Sequence, residues 1–211
     1  MSKAPVRAAF IALKDIGLVN IVPQAGTYVF LPRPEDVREM SEFRALLENE
    51  AMRQAYERRP DVVFVRLNNA IDAMSKALED SDWEAYRQAD SNFHLAFIEE
   101  CGNQYLLKAY HLTSVALEAL RVRLHYGTGN FREQSYREHR EIEGLLRDGK
   151  VDEAAALLGK HILIINESLD TLPPSSNKGS RKLNAGENDY SQIFAILFLS
   201  HKFPANRLEW L

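Results

Sequence analysis

Tyr86-Arg87-Gln88-Ala89-Asp90-Ser91-Asn92-Phe93-His94-Leu95-Ala96-Phe97-Ile98-Glu99-Glu100-Cys101 is the stretch on which the fold turns. Tyr86, Phe93, Phe97 and Cys101 recur at intervals of three and four, the spacing of one face of an α-helix. Asp90 and His94 fall on that same face, four residues apart, so a carboxylate and an imidazole point where the apolar side chains point. Both are expected inside, and a buried polar group needs a partner.

Outward from this stretch the same period persists. Between Pro34 and Leu169 glycines are few, Pro60 is the one internal proline, and apolar residues keep the helical spacing. The spacing predicts helices over 35–58, 61–79, 82–101, 104–126, 131–148 and 151–169. Breaks fall at Arg59-Pro60, Asp80-Ser81, Gly102-Asn103, Gly127-Thr128-Gly129 and Gly149-Lys150. Short connections imply antiparallel neighbours, hence a mainly α protein built as a helical bundle whose interior can hold a ligand.

Two later helices repeat the feature seen in the first stretch. His139 leads Ile142 and Leu146 on an inner face, and His161 lies between Leu157 and Ile164. Each histidine alone is either a hydrogen-bonded core residue or a ligand. Together, three imidazoles and Asp90 suit a divalent ion such as Zn²⁺, Ni²⁺ or Mn²⁺. His111 and His125 fall beside their stripe and, with His201, are read as ordinary. Arg44 occupies the stripe Val37, Met40, Arg44, Leu47, Ala51, and a guanidinium facing inward needs an anion because it cannot lose its proton. That anion is either the carboxylate of a bound effector or an internal Asp or Glu. The remaining acidic residues read as a solvated outer face.

The whole chain has 211 residues, 45% hydrophobic and 27% charged, with a net charge of −4 and one cysteine, Cys101. This excludes a disulfide scaffold, and no apolar run approaches the roughly 20 residues that span a bilayer. No signal-type segment stands at Met1, so a cytoplasmic protein without a membrane partner is expected. The charge is unevenly spread: residues 1–34 carry +3, residues 35–170 carry −9 and residues 171–211 carry +2. Phe30-Leu31-Pro32-Arg33-Pro34 and Leu172-Pro173-Pro174-Ser175 mark boundaries between three segments: 1–33, 34–170 and 171–211. The last is polar and rich in Pro, Gly, Ser and Asn, as a linker or disordered tail would be, but holds the apolar run Ile193 to Leu199.

In the basic first segment Ser2 can cap a helix carrying Pro5 in its first turn, with Val6, Ala9, Phe10 and Leu13 on one face and Gly17 at its end. Leu18 to Val22 and Thr27 to Leu31 read as strands joined by Pro23-Gln24-Ala25-Gly26, with glycine available for a positive φ. A helix followed by a hairpin is the back half of a winged helix. Lys3 and Arg7 lie one turn apart at its start, placed to reach DNA if the helix enters a groove and otherwise solvated charges.

Ser2-Lys3-Ala4-Pro5-Val6-Arg7, Leu13, Gly17-Leu18-Val19 and Gly26-Thr27-Tyr28-Val29 resemble the second half of the winged helix-turn-helix of GntR-type transcription regulators. The resemblance implies operator contacts from Lys3, Arg7 and Gly26. The strand and two helices that open that domain do not precede Ser2, so a regulator shortened at its front is expected. Residues 38–169 resemble the ligand-binding FCD domain of the FadR subgroup, through Glu42-Phe43-Arg44-Ala45-Leu46-Leu47-Glu48, Asp90-Ser91-Asn92-Phe93-His94, Glu138-His139-Arg140 and Gly149-Lys150-Val151-Asp152-Glu153-Ala154-Ala155 through Lys160-His161. Members with a metal site use an Asp and a His of one helix and two later His, which map onto Asp90, His94, His139 and His161. The ion there helps hold a small carboxylate effector. The resemblance implies a homodimer, because operators are symmetric.

A transcription regulator responding to an organic acid is therefore the expected function. A metal-dependent enzyme built on the same four residues is the competing reading, and a ligand-binding module unable to bind DNA is a third. Against an enzyme, the chain has no His-Glu-x-x-His helix, no nucleophile elbow, no glycine-rich phosphate loop and no clear spare general base beside the four residues.

Overall fold

The computed structural model describes residues 7, 10, 11, 13, 14, 19–29, 34–111 and 131–164. The chain divides into two compact units, one holding the hairpin and one holding the helices from Pro34 onward. Lys3, Ser2, Pro5, Gly17, His125, His201, residues 112–126 of the expected fourth bundle helix, and the segment 171–211 lie outside the described residues.

In the first unit Arg7, Phe10, Ile11, Leu13 and Lys14 are helical, and Arg7 is exposed. Strands β1 (Val19–Val22) and β2 (Gly26–Val29) pair antiparallel, with Val19 opposite Val29 and Val22 opposite Gly26. The turn closes through Ala25 N–H donating to the Val22 carbonyl at 3.1 Å. Pro23 presets the first central position of that turn. The second falls on Gln24, whose φ is 61°, a value at which a side chain is disfavoured. The sequence points to glycine for the positive φ, and Gly26 does adopt φ 130°, but the tighter requirement lands on a glutamine. Gln24→Gly should therefore leave the hairpin at least as stable.

The second unit is helical. Helix α1 (Pro34–Arg58) meets α2 (Pro60–Glu79) across the single residue Arg59, because Pro60 lacks the N–H that would continue α1 and suits the first turn of α2. Helix α3 (Trp83–Glu100) starts on Asp82, whose side chain accepts from Ala85 N–H at 3.0 Å. Residues 104–111 are helical. Helix α4 (Phe131–Arg147) ends at Gly149, which takes φ 75° so that Lys150 N–H reaches the Leu145 carbonyl and Gly149 N–H that of Leu146. Helix α5 (Val151–Leu163) follows at once. Helices α1 to α4 lie where the helical spacing predicts them, within a residue or two at each end, and α5 starts at Val151 as expected, while residues 165–169 of its expected span lie outside the described residues.

Helix α3 is central: it packs against α2 on one side and α1 on the other, while α5 packs against α1 and α4. Met52, Leu67, Met74, Phe93, Phe97, Ile98, Ile142, Leu146 and Leu158 are fully buried. No helix among the described residues is long and apolar enough to cross a membrane.

The far end of α3 is fastened to α2 by charge. Glu100 accepts from Arg66 at 2.9 Å and from Arg59 at 3.1 Å, and Arg66 also binds Glu99. Burial alone would raise the Glu100 carboxyl, but the two guanidinium groups outweigh it and hold the group below its ordinary 4.5. A carboxyl depressed on folding stabilises the fold above its unfolded value and ceases to do so as pH falls through its folded value. Glu100→Gln should thus cost about 1 kcal/mol at pH 7, since Arg59 is largely exposed. Urea titrations of both proteins should converge as pH drops below 4.5; a difference that persists at pH 3 would contradict this.

Candidate metal centre

Three helices deliver four donors to one point. Asp90 and His94 come from adjacent turns of α3, His139 from α4 and His161 from α5. One ligand atom from each lies within 4.8 Å of all the others. His94 Nε2 is 3.4 Å from His139 Nε2, and His139 Nε2 is 3.7 Å from Asp90 Oδ1. Bonds of about 2.0–2.1 Å to an ion put neighbouring ligands roughly 3.0–3.4 Å apart and opposite ones about 4.2 Å. Donors separated by 3.4 Å, 3.7 Å and at most 4.8 Å could hold a small divalent ion once drawn inward.

The surroundings hold these rings. Phe93 lies 4.2 Å from the His139 ring and 5.7 Å from that of His94, centroid to centroid, and the His94 and His161 rings stack at 5.3 Å. Ser135 Oγ donates to Asp90 Oδ1 at 3.4 Å. Tyr86, one turn before Asp90 on α3, donates its hydroxyl to the Arg132 carbonyl at 2.9 Å. Burial, reinforced by the Asp90 charge, pushes its phenol well above the ordinary value, so it is a neutral donor.

Two carboxylates complete the cluster. His94 Nδ1–H donates to Glu48 Oε2 at 2.6 Å, and His161 Nδ1–H donates to Glu138 Oε2 at 2.7 Å. Burial opposes ionisation of Glu138, but hydrogen bonds from His161 and Gln134 outweigh it and hold the carboxyl below its usual value. Both imidazoles thereby keep Nε2 for the centre. Glu48 is paired with Arg44 and Glu138 feels the Lys160 charge, while the donor set itself joins the Asp90 carboxylate to three imidazoles, a combination that suits a divalent ion.

Neither Glu48 nor Glu138 stood out in the sequence. The acidic residues of α1 read as an outer face, yet Glu48 is fully buried. Its signal was its position four residues after Arg44, on the same stripe. The buried face of α1 runs through Val37, Ser41, Arg44, Ala45, Glu48, Ala51, Met52 and Ala55, turned from the expected one so that Met40 and Leu47 are only partly buried. Arg44 is buried as expected, and its Nε donates to Glu48 Oε1 at 2.5 Å. Gly26 opens β2, and Arg7 lies on the helix before the hairpin. His111 is partly buried on the helical segment 104–111.

The FCD domain matches residues 39–163, which include all four donors and both carboxylates. The chain belongs to the FCD-domain family. The HTH-type transcriptional regulator LutR of Bacillus subtilis is 28% identical over 188 residues, covering 80% of this chain and 85% of LutR. The HTH-type transcriptional repressor RspR of Escherichia coli is 25% identical over 169 residues, covering 80% and 74%. A solved transcriptional regulator GntR from Rhodococcus has the same fold, with a TM-score of 0.63 at 21% identity over 82% of each chain. These relatives of the FCD protein are a transcriptional regulator and a transcriptional repressor, not enzymes.

Proposed function

We propose that this regulator binds operator DNA as a homodimer in the cytoplasm and senses a small carboxylate through a divalent ion, Zn²⁺, Ni²⁺ or Mn²⁺, held by Asp90, His94, His139 and His161. The reading is carried by four buried donor atoms lying within 4.8 Å of one another, two of whose rings are turned inward by carboxylates. A bound ion supplies a Lewis-acid anchor for an oxygen ligand. Arg44 is the proposed clamp for the effector carboxylate. Its Nε is engaged with Glu48, and its Nη groups carry the further donors of the guanidinium fork. Lys3, Arg7 and Gly26 are the proposed DNA contacts, and the +3 charge of residues 1–34 favours a phosphate backbone. An effector shifts operator affinity only by binding one arrangement of the dimer better than another.

The test is a thermal-shift series with Zn²⁺, Ni²⁺ and Mn²⁺, then with mono-, di- and tricarboxylates on the loaded protein. One class of acid should raise the melting temperature and alter a gel shift with DNA upstream of the gene. Arg44→Lys keeps the positive charge beside Glu48 but loses the planar fork, so it should retain the ion and weaken the acid by about tenfold or more. Acid binding unchanged in Arg44→Lys would remove the clamp. Absence of any ion from the wild type would remove the sensor.

A further inference from the structure

We infer that Glu48 and Glu138 are positioning residues that set the tautomer and orientation of His94 and His161, and that Glu48 ties this orientation to Arg44. The inference rests on the metal reading above and deepens it. A neutral imidazole can carry its proton on either nitrogen, and only the nitrogen without it can bind an ion. A carboxylate accepting from Nδ1–H selects the form in which Nε2 is the open donor. Both carboxylates are placed to do this, at 2.6 Å and 2.7 Å, while the Nε2 of His94 lies 3.4 Å from that of His139.

The two arrangements are built differently. Glu48 is fully buried on α1 and reaches across to α3. Its second oxygen takes Arg44 Nε, which supplies the countercharge a buried carboxylate requires. Arg44, Glu48 and His94 thus form a continuous chain from the proposed effector clamp to a proposed ligand. Glu138 immediately precedes His139, so consecutive residues of α4 provide one donor and the anchor of another, His161 on α5. Movement of α1 or α4 would therefore turn an imidazole as well as shift a helix.

The test measures Zn²⁺ affinity of the full chain by competition with a chromophoric chelator, in the wild type and in Glu48→Gln, Glu138→Gln and Glu50→Gln. Glu48→Gln and Glu138→Gln should each bind one ion with ten- to hundredfold weaker affinity. Ring nitrogen spectra of the metal-free variants should show a smaller share of the Nδ1–H form at His94 and at His161 respectively, since the amide oxygen accepts more weakly than a carboxylate. Glu50 is exposed on α1, and its variant removes the same charge without touching an imidazole, so its affinity should not change. Should Glu48→Gln fail to fold, Glu138→Gln carries the test, because Glu138 lies nearer the surface. Unchanged affinity in both variants, or an equal loss in Glu50→Gln, overturns the inference while the metal reading stands. A wild type that binds no ion overturns both.

Discussion

His139→Ala should lose tight divalent-ion binding. The ring is fully buried, with Nε2 facing both His94 Nε2 and Asp90 Oδ1, so it touches two of the other three donors. Four-ligand sites bind zinc with about 10–16 kcal/mol, roughly 3 kcal/mol per ligand, which places the loss at a hundredfold or more. The truncation also removes packing against Phe93 and His161, and this lowers stability with or without an ion. The two effects separate in a melting experiment. Wild-type protein should gain a Zn²⁺-dependent rise in melting temperature that grows with the logarithm of ion concentration, and His139→Ala should start lower and show almost none. An undiminished rise in the variant would mean that the ion binds elsewhere.

Phe93→Ala should be the most damaging single truncation of the bundle. Phe93 is fully buried on α3, makes an edge contact with Phe97 at 5.5 Å and lies 4.2 Å from the His139 ring. Replacing such a ring by a methyl group costs about 3–5 kcal/mol through lost burial and the cavity left behind. For a domain of this size that corresponds to a melting temperature lower by roughly 10 °C. The same cavity frees the His139 ring, so ion affinity should fall as well, although Phe93 donates nothing to the centre. Phe93→Leu keeps most of the volume and should recover most of both. A cost below 1 kcal/mol in calorimetry would show that the core closes over the gap.

The contrast between Asp90 and Glu48 shows what made the centre readable. Asp90 and His94 sit on one strongly apolar stripe, where Phe93 and Phe97 leave no doubt which way the helix faces. On α1 the inner face is built from Val37, Ser41, three alanines and Met52, too weak a contrast to fix the rotation of the helix. Glu48 consequently read as surface, and Arg44 had two candidate partners instead of one. Similarly, the helical spacing around His161 pointed to Leu157, whereas Leu158 is the fully buried neighbour.

The sequence by itself determined a mainly helical protein, the limits of α1 to α4, and the inward direction of Asp90, His94, His139 and His161. All of these follow from a period of 3.6 residues, which is local and written along each segment. Only the tertiary structure decided which inward groups meet. The bonds of Glu48 to His94 and of Glu138 to His161 span 46 and 23 residues of chain. They depend on how each helix is rotated about its axis and how closely it crosses its neighbour. Those choices are set by the packing of the whole core, and no single stretch of sequence contains them.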